Sequence, residues 1–171
     1  FTSEGQAIHL DDDRSSLLCL AYLNCILIQY IINLYCGQHK HAGYINTLPY
    51  VPIEEYDADL VIDRVKKILH IKEKWLSYDE TTVDHRQSIA YMTSDASSPI
   101  ESICSLKKSY INDIRRLSDL ESEVDDIIMN SAGLRTPEKN KLREWSEKVR
   151  PYDPVWPGID KVNLKELTDS F

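Results

Sequence analysis

The chain has few of the residues that loosen or staple a fold. Its 171 residues include 5 Gly and 7 Pro, so little of it need be flexible linker. Two Phe and three Trp are present, and Tyr supplies most of the aromatic surface with ten. The four cysteines, Cys19, Cys25, Cys36 and Cys104, form no C-x-x-C pair, which argues against a zinc ribbon or a dithiol redox centre. Three of them lie in one apolar stretch, as buried free thiols of a reducing, cytoplasmic compartment do. No Gly-rich loop that could cradle a phosphate is found. Positive charge is also scarce: 20 Lys and Arg against 28 Asp and Glu leave a net charge of -8. A chain with that balance meets nucleic acid only where its cations are gathered on one face. It begins "FTSEGQAIHL", without an initiator Met or a basic, apolar leader, and reads as a piece of a longer polypeptide.

What is there is mostly helical pattern. "QAIHL" alternates and predicts a small N-terminal edge strand, turned at Asp11, Asp12 and Asp13. "SSLLCLAYLNCILIQYIINLYCG" follows, with Ser15 or Ser16 as N-cap and Gly37 as the C′ residue. Its uncharged length of about 20 residues equals that of a membrane span. Asn24, Gln29 and Asn33 would be costly in lipid, and no strong positive cluster flanks it on the right. The expectation is one buried core helix, Leu17 to Cys36, whose amides bond to neighbouring backbone, and no membrane.

The loop "GQHKHAGYINTLPYVP" leads to a helix from about Asp57 to Leu76, with Leu60, Val61, Val65, Ile68, Leu69 and Trp75 as its apolar stripe. A polar stretch without period runs to Ser98. There Ser98 and Glu101 form a capping box with Pro99 at the first helical position. Ile103, Leu106, Tyr110, Leu117, Leu120, Val124 and Ile127 keep a near-heptad spacing that Asp113 breaks and Ile114 repairs. About 34 residues of helix would be ~50 Å long, which requires an antiparallel partner of comparable length. Gly133 ends it. A helix capped by Thr136 runs to about Val149, and the tail from 150 is broken by proline. The expected organisation is residues 1–56, 57–149 and a tail 150–171: a mainly α helical bundle with a long near-heptad helix and a small β element.

Chemistry-bearing clusters are weak. Cys36, His39 and His41 could ligate zinc, but His9, His70 and His85 offer no second pair by spacing, so no metal is expected. Asp11 to Asp13 lack the spacing of a calcium loop. Glu54 with Glu55, and Asp125 with Asp126, read as surface charge. "DETTVDH" shows no nucleophile with a positioned base. No catalytic residue is assigned.

Several stretches, in order, resemble the target-recognition regions of large adenine-specific DNA methyltransferases. "AYLNCILIQYIINLYCGQHKHAGYINTLPYVPI" is similar to a segment in which a helix of the "LNS" kind leads into a loop closed by "LP". Leu23 and Asn24 match its start, Leu48 and Pro49 its end. The family comprises fused type IIG restriction–modification enzymes, TaqI-like specificity domains, and the BREX and DISARM phage-defence enzymes. In "IKEKWLSYDETTVDH", Trp75, Ser77, Tyr78, Glu80, Thr81 and Asp84 fit the BREX branch, with Asp79 inserted. In "RLSDLESEVDDIIMNSAGL", Glu121, Glu123, Val124, Asp125, Ile127, Ile128, Gly133 and Leu134 match, while Asn130 and Ala132 depart. "TPEKNKL" echoes the acidic stretch that follows, so the likeness extends to about residue 142.

The resemblance implies a non-catalytic piece that helps position its parent on DNA. The parent's S-adenosylmethionine site and Asn-Pro-Pro-Tyr motif belong to a separate domain, and "NTLPYVP" is not that motif. Gln38, His39, Lys40, His41, Tyr44 and Asn46 would be displayed toward DNA, cations to phosphates and amides to base edges. The rest of the parent is the implied partner. The alternative is a helical protein–protein module whose long helix docks a partner or a second copy, without DNA.

Overall fold

A computed structural model describes residues 8–35, 42–78, 83, 85–86 and 99–149. Those residues form six helices: α1 (Asp13–Asn24), α2 (Ile26–Tyr35), α3 (Ala42–Ile45), α4 (Glu55–Leu76), α5 (Pro99–Ser131) and α6 (Thr136–Val149). No strand occurs among them. The expected edge strand is not seen: Ile8, His9 and Leu10 are exposed and irregular, and Gln6 and Ala7 lie outside the described residues. The chain divides into two compact units, residues 1–66 with 122–149 and residues 67–121 with 150–171.

In the first unit the long apolar run is two helices, not one. They meet at Cys25 with a bend of 63°. Cys25 adopts φ −59 and ψ 138, an extended conformation that stops α1. Its N–H still reaches the carbonyls of Ala21 and Tyr22, at 2.9 and 3.2 Å. The three amides of the run all donate to nearby backbone, as expected: Asn24 to Leu20, Gln29 to Leu23 and Asn33 to Gln29. Gln29 thus satisfies a carbonyl that the break strips of its helical donor. No single described helix is long and apolar enough to cross a membrane; α1 and α2 meet that length and composition only as a bent pair.

The cap of α1 is Asp12 rather than Ser15 or Ser16. Its carboxylate accepts from the Ser15 N–H and from the Ser15 hydroxyl, both at 2.7 Å. These bonds hold the Asp12 carboxyl below the usual carboxylate range. Arg14 ties the start of α1 to the first turns of α4, bonding Glu55 at 2.6 Å and Asp59 at 2.5 Å. The first turn of α4 starts two residues before Asp57. Similarly, Arg135 precedes the first helical residue of α6, Thr136. Its N–H is accepted at 2.8 Å by Glu138, three residues on, which is half of a capping box. Tyr30 of α2 meets Trp145 of α6 edge to face, ring centroids 5.1 Å apart.

The second unit holds the compact cluster Ile71, Trp75, Tyr110, Ile114, Leu117 and Leu120. Here α4 and α5 run antiparallel: Lys72 pairs with Glu121 and Lys74 with Asp113. Asp113, the break in the heptad, has a partner in α4. Its Oδ2 accepts from Trp75 Nε1 at 3.0 Å and from Lys74 Nζ at 2.5 Å. Ile114 beside it is buried, as the spacing requires. Beyond Leu120 the buried apolar positions of α5 are Val124, Ile128 and Met129, with Ile127 only half-buried. The 3.6-residue helix drifts off a strict heptad by about 20° per repeat, which moves the stripe by a residue.

The helix ends as the sequence predicts. Gly133 takes φ +77. The N–H groups of Gly133 and Leu134 bond back to Asn130 and Met129, at 2.8 and 3.0 Å, closing a Schellman motif.

Candidate nucleic-acid interface

The segment after α2 carries the residues expected to meet DNA. Gln38, His39, Lys40 and His41 lie outside the described residues. Tyr44 falls in the single turn α3, and its side chain is likewise outside the description. Asn46 is exposed in the turn that follows, where the Leu48 N–H bonds the Ile45 carbonyl at 3.2 Å. Its amide is therefore available to a partner.

The return of this segment is fastened to α1. The Tyr22 hydroxyl donates to the Pro49 carbonyl. Pro49 has no N–H of its own, so its carbonyl is the only backbone group it offers. Burial raises the Tyr22 pKa, which keeps this phenol a donor. The outgoing end is α2, and its seat is the bend at Cys25. There Asp125 of α5 accepts from the Ile26 N–H at 2.9 Å, across 99 residues of sequence.

Asp125 is a correction to the sequence reading. It is buried, 8% exposed, whereas its neighbour Asp126 is half-buried and pairs with Arg143 at 2.5 Å. Position 125 precedes Ile128 and Met129 by three and four residues, so it shares their buried face. That spacing was the available signal. The site itself is chemically sensible: a helix N-terminus presents unpaired N–H groups and a positive field, and a carboxylate satisfies both. Cys25 completes it. Burial pushes the Cys25 thiol well above its usual range, and the adjacent Asp125 carboxylate adds to the effect. The sulfur stays a thiol, hydrogen-bonded to Asp125, with the Leu27 and Ile28 N–H groups directed at it.

The metal candidates do not assemble among the described residues, where no three His, Cys, Asp or Glu side chains are placed to hold an ion. His9, His70 and His85 are exposed, and Cys36, His39 and His41 are outside the description. Of the "DETTVDH" stretch, only Val83 and His85 are described, and both are exposed. Trp75 and Tyr78, matched to the methyltransferase pattern, pack edge to face at 5.9 Å in the second unit. No protein family, curated protein or solved structure matches the chain.

Proposed function

We propose that the chain is a non-catalytic target-recognition and support region of an adenine-specific DNA methyltransferase of the restriction or phage-defence type. It helps place that enzyme on its DNA in the cytoplasm. Methyl transfer from S-adenosylmethionine is assigned to the parent's separate domain. The observation that carries the reading is the bond from Tyr22 to Pro49. It joins the two ends of the stretch that resembles the recognition segment, "AYLN" and "LPY". Asn46, exposed in that stretch, suits base-edge contact.

The competing reading is a protein–protein module that docks through the apolar stripe of α5. Tyr110, Leu117, Leu120 and Val124 of that stripe are already buried within the chain. That favours the first reading. The test is the reading frame upstream of Phe1. A methyltransferase domain with an Asn-Pro-Pro-Tyr motif is expected in frame. A frame that opens just before Phe1 overturns the proposal. In the whole enzyme, Lys40→Ala and Asn46→Ala should reduce methylation of the cognate site while leaving S-adenosylmethionine binding intact.

A further inference from the structure

Helix α5 is divided by charge. From Ser118 to Ser131 it carries Asp119, Glu121, Glu123, Asp125 and Asp126, and no Lys or Arg. Four of those five carboxylates are satisfied inside the chain. Glu121 pairs with Lys72, Glu123 with Arg64, Asp126 with Arg143, and Asp125 accepts from the Ile26 N–H. The preceding stretch is the reverse. Lys107, Lys108, Arg115 and Arg116 are exposed, and the one carboxylate among them, Asp113, is bonded to Lys74 and Trp75 of α4. Lys108, Arg115 and Arg116 enter no ion pair or hydrogen bond among the described residues.

A row of charges on a helix is ordinarily a solvated face. Here the pattern goes further. A chain with net charge -8 has acids to spare, yet among the described residues none pairs with Lys108, Arg115 or Arg116. Nor does the helix dipole favour the arrangement, since it prefers acids early and bases late. Lys108, Asn112 and Arg115 stand at i, i+4 and i+7, one stripe about 10 Å long at 1.5 Å per residue. Arg116 flanks it. A DNA strand presents one phosphate per about 3.4 Å along its axis, so the stripe spans roughly three.

We infer that the outer face of α5, Lys108, Asn112, Arg115 and Arg116, docks on the phosphate backbone of duplex DNA. The inference rests on the DNA-positioning reading above and gives it a surface that the -8 total obscures. Its contacts are to phosphate, so they set position and not sequence. Base readout stays with the segment around Asn46.

The test is fluorescence anisotropy of the full chain with a short labelled DNA duplex, titrated at several salt concentrations. K108A/R115A/R116A removes the patch, and K66A/K141A/K148A removes equal charge from exposed sites elsewhere. Ala is the best helix former, so both should fold, which circular dichroism verifies. K108Q/R115Q/R116Q stands in if the first does not. The patch variant should bind about tenfold or more weakly, with its salt slope reduced by about 1 per cation lost, while the control keeps the wild-type slope. Equal losses in both variants would overturn the inference, because net charge would then explain them. So would absence of binding by the wild-type chain at about 50 mM salt, or tighter binding to duplex RNA of equal length. None of those outcomes touches the upstream reading frame, which decides the parent separately.

Discussion

Replacing Asp125 with Ala removes the one side chain that bonds the N–H at the start of α2. Two effects add. The Ile26 N–H, bonded to a largely buried carboxylate at 2.9 Å, is left without that acceptor, which costs about 1–3 kcal/mol. The favourable field between the carboxylate and the helix N-terminus, about 0.3–1 kcal/mol, is lost as well. The expected destabilisation is therefore ~2–4 kcal/mol, a fall in Tm of roughly 5–15 °C for a chain of this size. Asp125→Asn keeps an acceptor and loses the charge, so about half that loss is expected. Ile26→Pro supplies the decisive control. Pro has no N–H, is accepted at the first position of a helix, and suits the extended ψ of 138 already present at Cys25. In that background Asp125→Ala should cost less by about 1–2 kcal/mol, a coupling that a double-mutant cycle in urea measures. If Asp125→Ala lies within about 0.5 kcal/mol of wild type, the carboxylate is not what holds the bend.

Three further outcomes follow from the same geometry. Asp113→Ala removes an acceptor from Trp75 Nε1 and leaves Lys74 only its bond to Ser109, and should cost ~1–3 kcal/mol with a shift in tryptophan emission; unchanged emission and stability would refute the role given to Asp113. Gly133→Ala meets no atom within 4 Å, so its cost is backbone strain alone, about 1–2 kcal/mol by chemical denaturation. Asp12 and Glu138 both have lowered pKa values, set by bonds to Ser15 and Arg135. Their contributions are therefore present above the unfolded carboxylate range and lost as pH falls through the folded values. Helicity at 222 nm should drop on acidification, and Asp12→Asn with Glu138→Gln should remove part of that dependence.

The legible parts of the fold were those whose signals are local. Pro99, the heptad spacing and Gly133 marked both ends of α5, and the stripe from Leu60 to Trp75 placed α4. Asp113 looked like a fault in the heptad because its partners, Lys74 and Trp75, lie nearly forty residues away. The bend at Cys25 was hidden for the same reason. Nothing between Leu17 and Tyr35 breaks a helix by propensity; the acceptor that makes the break tolerable is Asp125. The small strand was misread because alternation over five residues is weak support without a partner strand. Of the candidate site, Asn46 lies exposed, while the basic face of α5 drew no reading from the sequence. Its meaning depends on which carboxylates are already engaged, and pairing across helices is a property of the fold.

The 99 residues between Ile26 and Asp125 also set an order of events during synthesis. At roughly 5–20 residues per second, the carboxylate emerges about 5–20 s after the backbone group it serves. Throughout that interval Leu17 to Tyr35 is an uncharged apolar segment without its partner from α5. A ribosome-bound chain therefore carries a hydrophobic stretch of nearly membrane length whose α2 part meets α6, through Tyr30 and Trp145, only after Asp125 has emerged.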